Sequence, residues 1–216
     1  MSESPRTGGR TASEKADAKR RQMIEAALEV FIANGYVGTS TDELAAAAAV
    51  SKQTLYRVFG DKEGVFAALI HDASDRIDDP FAPLAEQMAD AETAEAAVRL
   101  LAMQFARSIM SPRVQQLRRL VIAEANRFPE LGLLFWQRGF VRVSDSVGRC
   151  LQILDDRGLL AIPDTAMAVQ HFAGMLLWIP SNQIMFAGAT LPVSGEELER
   201  IIAAGTTAFL RAYQPG

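Results

Sequence analysis

Cysteine is almost missing: Cys150 is the only one in 216 residues, so no disulfide can close within the chain. Histidine is nearly as scarce. His71 and His171 are the two present, and with a single thiol they cannot make an ordinary structural zinc set. No apolar run approaches the roughly twenty residues of a membrane span. The opening MSESPRTGGRTASEKADAKRR lacks the apolar stretch of a signal peptide, so a cytoplasmic, reducing location is expected, without contact with a membrane. Strand-like alternation, internal repeats and low-complexity tracts are also lacking. So are a phosphate-binding glycine loop and a recognisable Ser/His/Asp arrangement. No enzymatic activity, cofactor or metal is therefore expected.

Lysine is rare as well, and its placement is informative. All four lysines (Lys15, Lys19, Lys52, Lys62) fall in the first 62 residues. That segment holds nine Lys/Arg against eight Asp/Glu, whereas the remainder holds thirteen against eighteen. The net charge of −4 excludes a generally basic coat for nucleic acid, so any DNA contact must come from a local patch. With 49% hydrophobic and 22% charged residues, the composition is globular.

Residues 1–12 read as a flexible arm carrying Arg6 and Arg10. A capping box at Thr11–Glu14 is expected to open a helix with Ile24, Ala27, Leu28 and Phe31 on one face, ended by Asn34-Gly35. Ser40-Thr41-Asp42-Glu43 forms a second box, opening a short helix through about Ala48. Ser51 caps another through about Phe59, and Asp61 a fourth that runs to the Asp78-Asp79-Pro80 break. Longer helices are predicted over 92–110, 112–127, 129–157 and 163–188, the last kinked or interrupted near Pro180, with a final one from Ser194 to Tyr213. The expected fold is all-α: a three-helix helix-turn-helix domain at 13–61, with its motif at 41–59, then a larger helical domain at 62–216.

Two short capped helices around Ala48-Ala49-Val50-Ser51 have the size of a helix-turn-helix unit, whose second helix enters the major groove. In that second helix Leu55 and Phe59 should pack inward, leaving Lys52, Gln53, Thr54, Tyr56 and Arg57 pointing elsewhere. Lys and Arg suit guanine or phosphate, Gln suits adenine, and the Thr and Tyr hydroxyls suit phosphate. A solvated basic helix at the corner of an ordinary bundle would show the same charges.

The stretch from Met23 to Phe66, MIEAALEVFIANGYVGTSTDELAAAAAVSKQTLYRVFGDKEGVF, resembles the N-terminal domain of the TetR/AcrR family of transcriptional regulators. Gly35-Tyr36, Thr39-Ser40, Leu44-Ala45, Val50-Ser51-Lys52, Thr54-Leu55-Tyr56, Phe59 and Lys62-Glu63 carry the resemblance. It implies that Thr41, Lys52, Gln53, Thr54, Tyr56 and Lys62 meet phosphates and bases of a double-stranded operator. It also implies a homodimer and an effector cavity in the larger domain. Two positions depart from the family: Ala49 stands where glycine is usual in the turn, and Val58 where His or Tyr is common. Ala49 requires either a turn that avoids the left-handed conformation or ~1 kcal/mol of strain.

The larger domain is rich in methionine and aromatics. Met103, Phe135, Trp136, Phe140, Met175 and Trp178 suit a pocket for a small apolar or aromatic effector, though an ordinary helical core uses the same residues. Glu124 falls on the apolar stripe of Leu117, Leu120, Val121 and Phe128 and needs either a structural partner or a ligand group. The helix around Met167 and His171 is apolar nearly all round, and the last one aligns Leu198, Ile201, Ile202, Gly205 and Phe209. These seven residues are expected to form a two-fold four-helix dimer interface. Cys150 reads as a packed thiol. The expected function is ligand-responsive repression, with release from a palindromic operator. The alternative is an effector-independent DNA-binding or architectural protein of the same fold.

Overall fold

The computed structural model describes residues 12–75, 81–188 and 192–216, all-α with no strand among the described residues. Two compact units divide the chain, residues 1–73 and 74–216. The arm at 1–11 and the Thr11 half of the first capping box lie outside the described residues.

The first unit begins with α1 (Ala12–Gly38), whose regular turns stop where Gly35 takes φ 68°. Glycine reaches that conformation without steric cost. The Thr39 hydroxyl donates to the Gly35 carbonyl at 2.7 Å, fastening the chain as it leaves the helix. α2 (Thr41–Ala47) carries the expected capping box, and α3 (Lys52–Phe59) is capped by Ser51, whose Oγ accepts from Thr54 N at 3.1 Å. Asp61 Oδ1 accepts from Gly64 N at 2.7 Å at the start of α4 (Lys62–Asp75). Phe31, Tyr36 and Phe66 form an aromatic core with ring centroids 5.2–5.8 Å apart. Val65, Phe66, Leu69 and Ile70 are buried with them. The fourth helix therefore belongs largely to the first unit, where the sequence reading drew a boundary at its start. Its apolar residues complete a core that α1 and the two short helices do not close by themselves.

The second unit holds α5 (Ala82–Asp90), α6 (Ala94–Ile109), α7 (Pro112–Glu124) and α8 (Pro129–Phe135), then a π-helical stretch (Trp136–Val141) and α9 (Arg142–Asp156). Long α10 (Thr165–Ala187) and α11 (Gly195–Tyr213) close the chain. α5 was not anticipated, although Phe81, Leu84 and Met88 are buried at helical spacing. The single helix expected over 129–157 is three segments, because the wider π turns shift the phase of the buried residues between α8 and α9. α7 stops at Glu124, short of the expected 127.

α10 and α11 pack closely on each other. A Cβ added at Gly205 would lie 2.7 Å from the Met175 carbonyl oxygen, so only glycine allows this approach. Phe172 and Phe209 meet edge to face at 5.3 Å, and Phe105 joins Phe172 at 5.6 Å. This arrangement corrects part of the expected dimer interface. Ile202, Gly205 and Phe209 are buried within their own chain, because the large face of α11 is consumed by α10 and α6. The expected effector group is also corrected. Trp136 and Phe140 are each 51% exposed and Trp178 is 67% exposed, so half or more of each side chain faces out of the single chain rather than into its core.

Candidate nucleic-acid interface

α3 divides its residues cleanly. Leu55 is 1% exposed and Phe59 is half-buried, while Lys52, Gln53, Tyr56 and Arg57 are exposed on the opposite side. One face is anchored; the other offers a cation, an amide, a phenol and a guanidinium at successive turns. Helix propensity alone would not hold eight residues in place. The Ser51 cap and the Leu55 anchor do so.

Ala49 adopts φ 51° in the connecting turn. Val50 N donates to Ala45 O and Ala49 N to Ala46 O, both at 3.0 Å, the paired bonds of a Schellman ending that demands a left-handed residue. Of the two possibilities left by the sequence, the strained one is realised.

The predicted contact residues are partly engaged with one another. Thr41 Oγ1 and Tyr56 Oη lie 3.3 Å apart, joining the start of α2 to the middle of α3. Lys52 Nζ sits 3.0 Å from the Asp42 carboxylate, and this contact raises its pKa above the ordinary lysine value. The Thr54 hydroxyl is 2.9 Å from Ser51 Oγ, within the cap. Gln53 and Arg57 remain at the surface. Lys62 differs from the rest. Its ammonium donates to the carbonyls of Tyr36 and Thr39, both at 2.8 Å, and lies 4.5 Å from the Tyr36 ring centroid. It ties the end of α1 to the start of α4. Asp42 was missed by the sequence reading; an acid in the first turn ordinarily serves only the helix start, and only the α2–α3 crossing sets it against Lys52.

Beside the turn, an open groove is lined by Lys15, Lys19 and Gln22 of α1 and by Ala48, Ala49 and Val50. With Lys52 it accounts for three of the four lysines on this unit. The charge asymmetry of the sequence is thus realised as cations next to α3.

In the second unit, Met167, His171, Met175 and Trp178 share the exposed face of α10. His171 Nδ1 is 2.7 Å from Tyr213 Oη. On α11, Ala203, Ala204, Thr207 and Ala208 are exposed, and Leu198 and Ile201 are half-buried. Trp136 and Phe140 stack at 4.3 Å on the π-helical stretch. Met103, Glu124 and Phe135 are half-buried. Cys150 is buried, its thiol 4.0 Å from the Phe81 carbonyl oxygen.

Residues 23–69 match the family model of bacterial regulatory proteins, tetR family. Residues 96–215 match that of the AefR-like transcriptional repressor, C-terminal domain. Among solved structures, a TetR-family transcriptional regulator from Mesorhizobium loti MAFF303099 is 38% identical. The match covers 95% of this chain and 100% of that one, at a TM-score of 0.84. The flavonoid-responsive regulator FrrA is 27% identical over 92% of this chain and 98% of its own, at 0.66. A TetR transcriptional regulator from Agrobacterium tumefaciens is 25% identical over 92% and 95%, at 0.72.

Proposed function

Because this chain belongs to the tetR family of bacterial regulatory proteins and is a transcriptional regulator, we propose that it is a ligand-responsive repressor. It binds a palindromic operator as a homodimer and leaves it when a small apolar or aromatic effector occupies the second unit. The observation that carries the DNA half is the division of α3, with Leu55 anchored and Lys52, Gln53, Tyr56 and Arg57 presented together. Lys52 and Gln53 read bases. Thr41, Tyr56 and Arg57 hold phosphate, and Thr54 supports them through the cap. Lys62 contributes from behind: with two N–H groups on carbonyls, it sets the position of the helices before it adds charge toward phosphate.

The match to an AefR-like repressor domain supports repression as the direction of control. FrrA, named for its response to flavonoids, supports an aromatic effector. The exposure of Trp136, Phe140 and Trp178 instead favours the effector-independent alternative, since most of their surface faces out of the single chain. Release of operator by an aromatic compound separates the two readings. An effector must favour the conformer that does not bind DNA, because equal affinity for both shifts nothing.

The DNA assignment is tested on an operator recovered by selection from random duplexes. In fluorescence-anisotropy titrations, Gln53→Ala is expected to cost about 1–3 kcal/mol, and only at the base pairs it reads. A loss of equal size on every operator variant would remove Gln53 from base readout.

A further inference from the structure

Arg118 occupies an unusual position on α7. Its guanidinium is half-buried, and burial holds its pKa below the usual arginine value. A fully buried cation is ordinarily paired with a carboxylate, and a half-buried one bears part of the same desolvation cost. Here both partners are neutral. Nη1 donates to Ser181 Oγ on α10 at 2.8 Å and, more weakly, to Gln115 Oε1 at 3.4 Å. Gln115 is itself only 2% exposed and fixed, giving Nε2 to the Ile109 carbonyl at 2.6 Å. Its amide is locked with the oxygen toward Arg118. The arrangement orients the guanidinium through one nitrogen and leaves Nε and Nη2 without a hydrogen-bond partner among the described residues. Those two nitrogens form the edge that grips a carboxylate with two parallel bonds.

We propose that this free edge is the anchor of the effector site and that it takes the carboxylate of an organic acid with an apolar body. The proposal rests on the reading that the protein answers to a small molecule, and it narrows the class of that molecule. α7 packs on α6, α8 and α10, so the anchor lies among the helices that carry the apolar residues of this unit. A guanidinium kept partly out of water by neutral, rigid partners costs stability in the empty protein. A carboxylate bound there recovers that cost, which gives an acid an advantage over its uncharged analogue.

The test uses the full chain, with 2-naphthoate and its uncharged counterpart 2-naphthamide as probes. Both are titrated calorimetrically into the unmodified protein, Arg118→Gln and Arg118→Lys. The acid is expected to bind at least tenfold tighter than the amide to the unmodified chain and no tighter to Arg118→Gln. Arg118→Lys, which keeps the charge but loses the paired edge, is expected to keep only part of the preference, so the proposal stays testable if the Gln variant fails to fold. Without ligand, Arg118→Gln is expected to melt no lower than the unmodified protein, since no charged partner is stranded. Equal binding of acid and amide would overturn the anion assignment while leaving the effector reading intact. Binding of neither would overturn both. An acid preference that survives in Arg118→Gln, or dissociation of the dimer by that substitution with acid binding unchanged, would also overturn the assignment. The latter would place Arg118 in a subunit interface.

Discussion

A single methyl group sets the strain of the turn between α2 and α3. Ala49 holds φ 51°, where an L-residue with a Cβ bears about 1–2 kcal/mol. It stays there because the bonds from Ala49 N and Val50 N close the turn and because Leu44, Ala45, Ala48 and Leu55 are buried around it. Ala49→Gly removes the strain but enlarges the conformational freedom of the unfolded chain, worth about 0.4–1 kcal/mol in the opposite direction. The expected net is a stabilisation of about 0.5–1 kcal/mol, read as a rise of a few degrees in melting temperature for a chain of this size. A lowered melting temperature would show that the turn does not hold the left-handed geometry. The departure from the family's usual glycine was visible in the sequence; which of its two consequences applied was not, since the choice depends on how the two flanking helices pack.

At the scale of the element, capping decides where the short helices begin. Ser40 Oγ accepts from Glu43 N at 3.2 Å and Glu43 Oε2 accepts from Ser40 N at 2.8 Å. That backbone bond, followed by the bond from the Ser40 hydroxyl, lowers the Glu43 pKa below the ordinary glutamate value. The sign follows from the lowered value. The contribution of the box is present above the unfolded glutamate pKa and is lost as pH falls through the lower folded one. Ser40→Ala should move the Glu43 titration upward in an NMR pH series and loosen α2 by about 1 kcal/mol. A Glu43 that titrates identically in both proteins would contradict the reciprocal box. These boxes were legible because a cap is written in four adjacent residues. α5 and the π-helical stretch were not: the first is only nine residues long, and the second changes helical phase in response to what it packs against.

For the whole molecule, the decisive question is which face of α11 its own subunit consumes. Periodicity places Leu198, Ile202, Gly205 and Phe209 together, and the larger side chains invite assignment to a partner. They are instead turned inward, leaving Ala203, Ala204, Thr207 and Ala208 exposed on α11, as Met167, His171, Met175 and Trp178 are on α10. We propose a two-fold seam on these exposed faces, where small side chains can sit against large ones. The two substitutions should therefore separate. Ile202→Arg places an unpaired charge in the subunit core and should unfold the second unit. Ala204→Arg, on the exposed face, should keep the helical circular dichroism but shift sedimentation toward monomer and weaken operator binding. If Ala204→Arg sediments as the unmodified chain does and binds operator equally well, the seam lies elsewhere.

Local chemistry was enough to establish the helical class, the helix starts at Ser40, Ser51, Asp61 and Ser194, and the residues of α3 that face away from Leu55. Caps, breakers and the spacing of apolar residues act over three or four positions and need no knowledge of the rest of the chain. Tertiary structure alone decided that Lys62 bonds to Tyr36 and Thr39, that Asp42 meets Lys52, and that Arg118 faces neutral partners. It also decided which apolar stripe of α11 is used up within the subunit. Each of these depends on a contact between residues distant in sequence or on separate helices, and a helix with two apolar faces carries no local mark of which one its own core will take.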